Sequence, residues 1–200
     1  MADAGFSLKE AAVLAEISEK SIRHELAREI ATPERRPIGA SVRRRLDERD
    51  ILYLNLLAAL PVSLGVADRR DLYAMITRRL RATGRWRRTG DRLRLIGAVP
   101  VEIDASELRK RLAGRLRLYR RGRARLVARP DLVGGEPVFK GTRVPVRHIG
   151  LLARKNVPVA EILEDYPALD ENDVAFARLF VELRPDPGRP RKPLAFARDG

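Results

Sequence analysis

The stretch GGEPVFKGTRVPV, residues Gly134–Val146, decides how the C-terminal third of the chain folds. Read from Gly135, it resembles a phosphate-binding P-loop, G-x-x-x-x-G-K-[ST], with the last glycine and the lysine exchanged. A P-loop needs consecutive backbone N–H groups and a helix directly after the lysine. Pro137 has no N–H, and Pro145 disfavours helical geometry at Val144. The sequence therefore argues against a nucleotide site here.

The same stretch instead predicts a β-hairpin followed by helices. Two short strands, PVF and RVPV, would be joined by a tight turn in which Gly141 takes a positive φ. Downstream, the spacing of apolar residues predicts one helix around Ile149–Ala153, a second with Pro158 at its first position and a third capped by Asp170. Two strands and three short helices indicate a winged-helix or helix-turn-helix-like domain over residues 125–183.

The N-terminal segment, residues 1–60, predicts another domain of this kind. Ser7 and Glu10 have the spacing of a capping box, and Ser18 caps a second helix after a turn of three or four residues. An arginine-rich hairpin follows, and Asp47 begins a third helix. This order is that of a winged helix-turn-helix, although a plain helical hairpin packed in a core would give a similar pattern.

In a winged helix-turn-helix the second helix reads the DNA and the hairpin contacts its backbone. The exposed positions predicted on the second helix are Lys20, Ser21, Arg23, His24 and Arg28. The hairpin arginines expected to contact phosphates are Arg35, Arg36, Arg43, Arg44 and Arg45. Arg23 and His24 are the best candidates to reach base edges.

Residues 61–124 predict a basic α/β middle segment made of a helix, a hairpin, a further strand and a second helix. Asp68 is expected to cap the first helix, Asp104 or Ser106 to cap the second, and residues 123–129 to form a strand. The outward positions of the second helix are Arg109, Lys110, Arg115, Arg117 and Arg120. They form either a solvated coat or a surface that faces phosphates.

The charge is divided unevenly along the chain. The net charge is zero over residues 1–50, +14 over 51–130, −3 over 131–182 and +3 over 183–200. Such asymmetry indicates a polyanionic partner for part of the chain. Because arginine greatly outnumbers lysine, some of these residues can also reflect genome base composition.

Several classes of function are disfavoured by the composition. The chain has no cysteine and two histidines, His24 and His148, so thiolate chemistry is excluded and a histidine-rich metal site is not expected. No nucleophile motif or metal-ligand spacing stands out, so we expect neither an enzyme nor a bound cofactor. No apolar run reaches the roughly 18 residues of a membrane span, and the start lacks a signal-peptide pattern. We expect a cytoplasmic protein.

Two resemblances to known families strengthen this interpretation. Residues 5–58 resemble the MerR/excisionase type of winged helix-turn-helix, with a Ser-x-x-Glu-Ala-Ala opening and a basic hairpin ending R-R-x-aliphatic. Residues 126–183 closely resemble the bacterial family known as domain of unknown function four-thirty-three. Its signature, Gly-x-Pro-x-φ-x-Gly-Thr-Arg-φ-x-Val and then Glu-Ile-Leu-x-x-Tyr-Pro-x-Leu, is present with Phe139 at an aliphatic position.

The second resemblance implies an antitoxin of the VapB-like class in a type II toxin–antitoxin pair. Such a protein would neutralise a cognate PIN-type ribonuclease toxin, bind double-stranded operator DNA of its own operon as a repressor, and act as a homodimer. The apolar helix at 51–60 is the first candidate for the dimer interface, with 151–152 and 174–181 as alternatives. A helix-turn-helix transcriptional regulator without a toxin, and a basic RNA- or ribosome-associated protein, are the competing interpretations.

The C-terminal tail, residues 184–200, is rich in proline and basic residues and is predicted to be disordered on its own. Leu194 and Phe196 would anchor it in a groove of the toxin. Arg189, Arg191 or Arg198 would enter the carboxylate cluster of the nuclease, because an arginine forms bidentate hydrogen bonds with a carboxylate. A basic end without a role is the alternative. The predicted fold class is thus α+β, mainly α, with two winged-helix domains, a basic middle segment and a disordered tail.

Overall fold

The computed structural model describes residues 5–38, 41–97, 100–128 and 136–184, without the side chains of 35–38 and 41–43. It divides into two compact units, Met1–Leu126 and Val127–Gly200, so the expected first domain and the basic middle segment share one unit. Both units are mainly helical with small sheets, which confirms the α+β, mainly α, class.

The first unit contains helices α1 (Leu8–Ala15), α2 (Glu19–Ala27), α3 (Glu48–Ala59), α4 (Val66–Arg78) and α5 (Ser106–Ala124). Its strands are β1 (Arg35–Ile38), β2 (Ser41–Arg44), β3 (Ala82–Thr83), β4 (Trp86–Thr89), β5 (Arg92–Leu95) and β6 (Val101–Asp104). The pair β1–β2 forms an antiparallel hairpin, and β3 to β6 form a four-stranded antiparallel sheet in chain order.

The first two helices and their turn follow the predicted capping pattern. Ser7 and Glu10 form the capping box of α1, and the Ser18 hydroxyl accepts from the backbone N–H of Ser21 at the start of α2. Between the helices, Glu16 adopts the left-handed conformation (φ 56°), and its N–H donates to the carbonyls of Ala12 and Val13. The chain thus reverses within three residues, as a helix-turn-helix requires.

The hairpin is anchored at its base to the core of the first unit. Phe6 and Leu46 exchange backbone hydrogen bonds of 2.7 and 2.9 Å, and both side chains are buried. Asp47 then caps α3, as predicted, and the structure adds a capping box with Asp50. The order is therefore helix, turn, helix, hairpin, helix.

The cap predicted at Asp68 is wrong. Helix α4 begins at Val66 after Gly65, and no side chain caps it. Asp68 lies in its first turn, where it accepts two hydrogen bonds from Arg85 at 3.1 and 2.5 Å. This partner comes from the loop before β4, so nothing near Asp68 in the sequence could reveal it.

Helix α5 is longer than predicted. It runs to Ala124, and among the described residues of the strand expected at 123–129 a strand forms at Leu126–Val127 alone. Asp104 accepts from the backbone N–H of Ser106 at 2.8 Å, although the cap position is occupied by Ala105. The last turns remain helical because Tyr119 is buried and donates a hydrogen bond to Glu10 of α1.

The apolar helix α3 is buried within the first unit. Ile51, Leu52, Tyr53, Leu54 and Leu56 are all at most 8% exposed, and the helix packs against α1, α4 and α5. The apolar side chains of residues 51–56, apart from Asn55, are therefore used by the core of this unit. The dimer interface was predicted at 51–60 because this helix had more apolar residues than one small domain should need, and that reason no longer holds.

The second unit contains α6 (Val146–Arg154), α7 (Val159–Asp165) and α8 (Glu171–Leu183). Its two-stranded sheet pairs β7 (Leu126–Val127), which begins at the last residue of the first unit, with β8 (Val138–Phe139). The three predicted helices are present, and Asp170 caps α8 as expected. Pro158 precedes α7 instead of occupying its first position, because its ψ of 138° is extended.

Packing of α6 on α8 forms the centre of the second unit. Val146, Ile149 and Gly150 of α6 are buried, as are Val174, Ala177 and Val181 of α8. The interface suggested at 174–181 is thus core of this unit. In the described part of the chain, no helix combines the length and apolarity that crossing a bilayer requires.

Candidate nucleic-acid interface

Helix α2 has one buried and one exposed face. Ile22, Glu25 and Leu26 are buried, whereas the predicted DNA-reading residues Lys20, Ser21, Arg23, His24 and Arg28 are all exposed. Arg23 forms an ion pair of 3.0 Å with Glu19 one turn earlier, and its side chain remains 69% exposed. An exposed pair of this kind contributes little free energy, so the guanidinium group can exchange Glu19 for another acceptor.

A shallow groove of about 430 Å³ lies beside this exposed face. Lys20, Ser21 and His24 of α2 line one side, and Leu57 and Ala58 of α3 line the other. The exposed face of α2 is therefore bordered by the C-terminal half of α3.

The structure places only part of the hairpin's arginine set. Strands β1 and β2 pair Arg35 with Arg44 and Arg36 with Arg43, while the side chains of Arg35, Arg36 and Arg43 lie outside the described residues. Arg45 is directed inward, with its guanidinium group 3.7 Å from the Glu10 carboxylate and its side chain 23% exposed. Among the hairpin arginines whose side chains are described, Arg44 is the better candidate for a phosphate contact.

The arginines of α5 are largely used within the first unit. Arg115 forms a 2.5 Å ion pair with Glu16, Arg120 pairs with Glu48, and Arg109 lies 3.0 Å from Asp91. The Arg109 and Arg120 side chains still remain 43% and 44% exposed, so they face water as expected while they pair with carboxylates of the first unit. Acidic residues of the balanced N-terminal segment lie opposite the basic helix and neutralise part of it. Sequence reasoning missed this arrangement because the pairs are separated by up to 99 positions.

A buried polar layer holds α2 in place. The Glu25 carboxylate accepts a hydrogen bond of 2.8 Å from the Tyr53 hydroxyl of α3 and one of 2.6 Å from Arg69 of α4. The rings of Tyr53 and Tyr73 meet edge to face at 5.1 Å, and the Tyr73 hydroxyl donates to Asp50 at 2.7 Å. The exposed face of α2 is thus fixed by contacts on its opposite side.

The buried carboxyl of Asp50 predicts a pH-dependent stability. Burial raises its pKa from 3.8 to about 6, against the hydrogen bonds from Tyr73 and Asp47, which lower it. Because the folded pKa exceeds the unfolded one, the contribution of Asp50 to the free energy of unfolding is fully present below about pH 4 and is lost as the pH rises through about 6. Two pKa units correspond to roughly 3 kcal/mol.

We expect Asp50→Asn to remove this slope, since an amide does not titrate. Urea unfolding of both proteins between pH 4 and 7 measures the effect as the difference between them. Glu10 acts in the opposite sense: burial disfavours its ionisation, but hydrogen bonds from Tyr119 and Ser7 lower its pKa. Both proteins share Glu10, so its contribution cancels. A difference that does not change with pH would contradict the assignment to Asp50.

In the second unit, the stretch that resembled a P-loop is a tight turn. Gly141 has a positive φ of 82°, as predicted, and Thr142 accepts a hydrogen bond of 3.1 Å from the Val144 N–H while donating to the Phe139 carbonyl at 2.9 Å. The Phe139 and Val146 N–H groups donate to the carbonyls of Val144 and Pro137, respectively. These backbone N–H groups are used by the turn and its two arms and are not free to surround a phosphate.

Residues 126–181 match a family described as "Protein of unknown function (DUF433)". The match confirms the resemblance predicted for this part of the chain. A protein of Sinorhizobium fredii (strain NBRC 101917 / NGR234), "Uncharacterized protein y4eO", is 33% identical over 91 residues. That similarity covers 46% of this chain and 41% of the relative, so less than half of either protein is matched. No solved structure is significantly similar.

The DUF433 region presents fewer cationic groups than the first unit. Its one described histidine, His148, shares a 2.8 Å hydrogen bond with the Tyr166 hydroxyl. Arg143 is exposed beside the turn, whereas Asp173 is buried in the capping box of α8. The described residues contain no group of histidine, cysteine, aspartate and glutamate side chains that could hold a metal ion. The tail residues Arg189, Arg191, Leu194, Phe196 and Arg198 lie outside the described residues.

Proposed function

We propose that this protein is a DNA-binding antitoxin that represses its own operon and neutralises a cognate PIN-type ribonuclease toxin. In this proposal residues 1–60 are a winged helix-turn-helix domain that binds double-stranded operator DNA. The supporting observation is the exposed polar face of α2, which follows a three-residue turn and precedes an antiparallel hairpin. That order and exposure correspond to the reading helix and wing of such domains.

In this proposal the buried face of α2 fixes the helix to the core, and its exposed face contacts DNA. Ile22 and Leu26 pack into the core and Glu25 is held by two hydrogen bonds, so the helix cannot rotate freely. Arg23 and His24 on the exposed face then point outward from a fixed base. Arg44 and Lys20 supply positive charge at the hairpin and at the first turn of α2. The basic middle segment adds long-range attraction to a polyanion.

We expect two kinds of loss when these residues are replaced. Arg23→Ala with His24→Ala should reduce the preference for operator over random duplex, by about 1–3 kcal/mol for each base that is no longer recognised. Lys20→Ala and Arg44→Ala should weaken binding to all duplexes alike and lower the salt slope by about one for each phosphate that is no longer bound. Fluorescence anisotropy with a duplex from the upstream region of the operon, at several salt concentrations, measures both quantities.

The matched control is Arg94→Ala, because Arg94 is an exposed arginine on β5 at the sheet. It removes the same charge and should leave operator preference unchanged. If Arg23→Ala/His24→Ala and Arg94→Ala behaved alike, α2 would not be the reading helix. A chain that binds no duplex at low salt would remove the DNA-binding proposal altogether.

The antitoxin part of the proposal is supported by the DUF433 match and by the composition of the tail. We expect a chain lacking residues 184–200 to keep DNA binding and to lose protection against a ribonuclease encoded beside it. Co-expression with that nuclease, followed by an RNA-cleavage assay, tests this. Full protection by the truncated chain would remove the role of the tail. The absence of any adjacent nuclease gene would favour a transcriptional regulator without a toxin.

We further propose that the protein binds its operator as a homodimer, since a two-fold protein on a palindromic site reads more base pairs than one domain can. Most apolar side chains of helix α3 are used by its own core, so we expect the interface elsewhere. Light scattering of the free protein and of its DNA complex gives the oligomeric state directly.

A further inference from the structure

A basic cavity of about 510 Å³ lies in the first unit, among α3, α4, β4 and α5. Its rim carries one arginine from each of four different places in the chain: Arg49 of α3, Arg79 after α4, Arg88 of β4 and Arg109 of α5. Its volume is within the range of pockets that bind small molecules. It is separate from the exposed face of α2, none of whose residues lines it.

These arginines are only partly neutralised. Arg49 and Arg88 donate to backbone carbonyls of Thr77 and Gly90, at 2.8 and 2.9 Å, and neither pairs with a carboxylate of the described residues. The Arg79 side chain has no hydrogen bond or ion pair within the described part of the chain.

The fourth arginine has one partner and one unused donor. Arg109 lies 3.0 Å from Asp91, but its buried Nε has no hydrogen-bond partner among the described residues. A buried donor without an acceptor is unfavourable, and a bound anion that accepts from it would remove this cost.

The two acidic residues that line the cavity have hydrogen-bond or ion-pair partners other than its four arginines. Asp47 caps α3 through the N–H groups of Arg49 and Asp50, and Glu48 is paired with Arg120. The positive charge at the rim is therefore not cancelled from within. Burial lowers the pKa of Arg88, and the nearby cations Arg109 and Arg79 lower it further, against the opposing effect of Asp91. Like charges held this close favour an anion between them.

The walls behind the rim are apolar. Leu52, Ile76, Leu112 and Leu116 line the cavity together with Ala113. A surface that binds only a DNA backbone needs cations on an open face and has no use for an apolar recess. A cationic rim above apolar walls suits a small molecule with one anionic group and one apolar or aromatic body.

We propose that this cavity binds a small organic phosphate, a phosphate monoester whose planar or apolar body enters the recess. The guanidinium groups of Arg79, Arg88 and Arg109 would hold the phosphate, since arginine binds phosphate through two parallel hydrogen bonds. The apolar walls from α3, α4 and α5 would contact the body. This site is independent of the DNA-binding and toxin-binding proposals.

The test uses calorimetric titration of the full chain with AMP, adenosine and inorganic phosphate as probes. We expect AMP to bind more tightly than either fragment, because only AMP satisfies both rim and walls. Arg79→Gln/Arg88→Gln should weaken AMP binding at least about tenfold, the loss expected when a charged hydrogen bond is removed. Arg94→Gln/Arg117→Gln removes the same charge from exposed positions outside the cavity and should leave the affinity unchanged.

A second variant keeps the test valid if the double variant is unstable. Ala113→Phe fills the recess without altering charge and should also abolish AMP binding while the melting temperature is retained. The proposal is overturned if AMP does not bind at millimolar concentration, if both double variants weaken it equally, or if inorganic phosphate binds as well as AMP. It is also overturned if AMP fails to bind while Arg79→Gln/Arg88→Gln lowers affinity for random duplex DNA, since the cavity rim would then be part of a DNA surface.

Discussion

Gly150→Ala is expected to destabilise the second unit by about 3 kcal/mol or more, although it places a better helix former inside a helix. A methyl group at Gly150 would lie 2.2 Å from the carbonyl oxygen of Ala177 and 2.4 Å from a methyl of Val181. The first of these atoms is backbone, so relief requires α6 and α8 to move apart. The gain of about 1 kcal/mol in helix propensity is too small to offset such overpacking.

The measurement separates the two units by their signals. Trp86 is the single tryptophan of the chain and is fully buried in the first unit, so its fluorescence reports that unit alone. Circular dichroism reports helices of both. We expect Gly150→Ala to lose part of the helical signal at low urea while the transition followed by Trp86 is unchanged.

The control is Gly114→Ala in α5, where an added methyl group meets no atom within 4 Å. This change should stabilise the first unit by up to about 1 kcal/mol, because alanine is the better helix former. Unfolding curves of Gly150→Ala and the natural protein that superpose would show that α6 and α8 can separate at little cost.

The two glycines show what the sequence could and could not predict. Both lie inside helices, and the close contact between α6 and α8 makes an added methyl group costly only at Gly150. Features set by neighbouring residues were predictable: the caps at Ser7, Ser18 and Asp170 follow local rules. A capping side chain and its N–H partner are three positions apart, so the sequence displays both.

Features set by distant residues were not predictable. Asp68 had the sequence context of a cap, yet it pairs with Arg85. The candidate interface shows the same contrast between local and distant causes. The exposed face of α2 follows from the spacing of its apolar residues. The inward orientation of Arg45 depends on Glu10, which is far away in the sequence. Long, flexible arginine side chains are the hardest to place, because their partners are chosen by the tertiary fold.

The other large effect is expected from the buried pair of Glu25 and Arg69. Their side chains are 4% and 13% exposed and lie 2.6 Å apart, and Glu25 also accepts from Tyr53. Removing one partner of such a pair leaves an uncompensated buried charge, which costs about 3–5 kcal/mol. We therefore expect Glu25→Leu to destabilise the first unit severely, and Arg69→Met to do so by a similar amount.

The double variant Glu25→Leu/Arg69→Met is expected to be much more stable than either single variant. It removes both charges together, and a buried ion pair contributes little over apolar residues of similar size. Because Glu25→Leu removes the acceptor of the Tyr53 hydroxyl, all four proteins of the cycle carry Tyr53→Phe. Urea unfolding followed by Trp86 fluorescence gives the coupling energy from the four proteins of the cycle.

The same cycle tests whether the polar layer positions α2 for DNA. An apolar replacement restores burial but not the directional hydrogen bonds that fix Glu25, and with it the neighbouring His24, in one orientation. We expect the double variant to regain stability while its preference for operator over random duplex stays reduced. If stability and operator preference recover together, Glu25 and Arg69 serve folding alone. If the single variants lose less than about 1 kcal/mol, water reaches the pair and the layer is not a buried one.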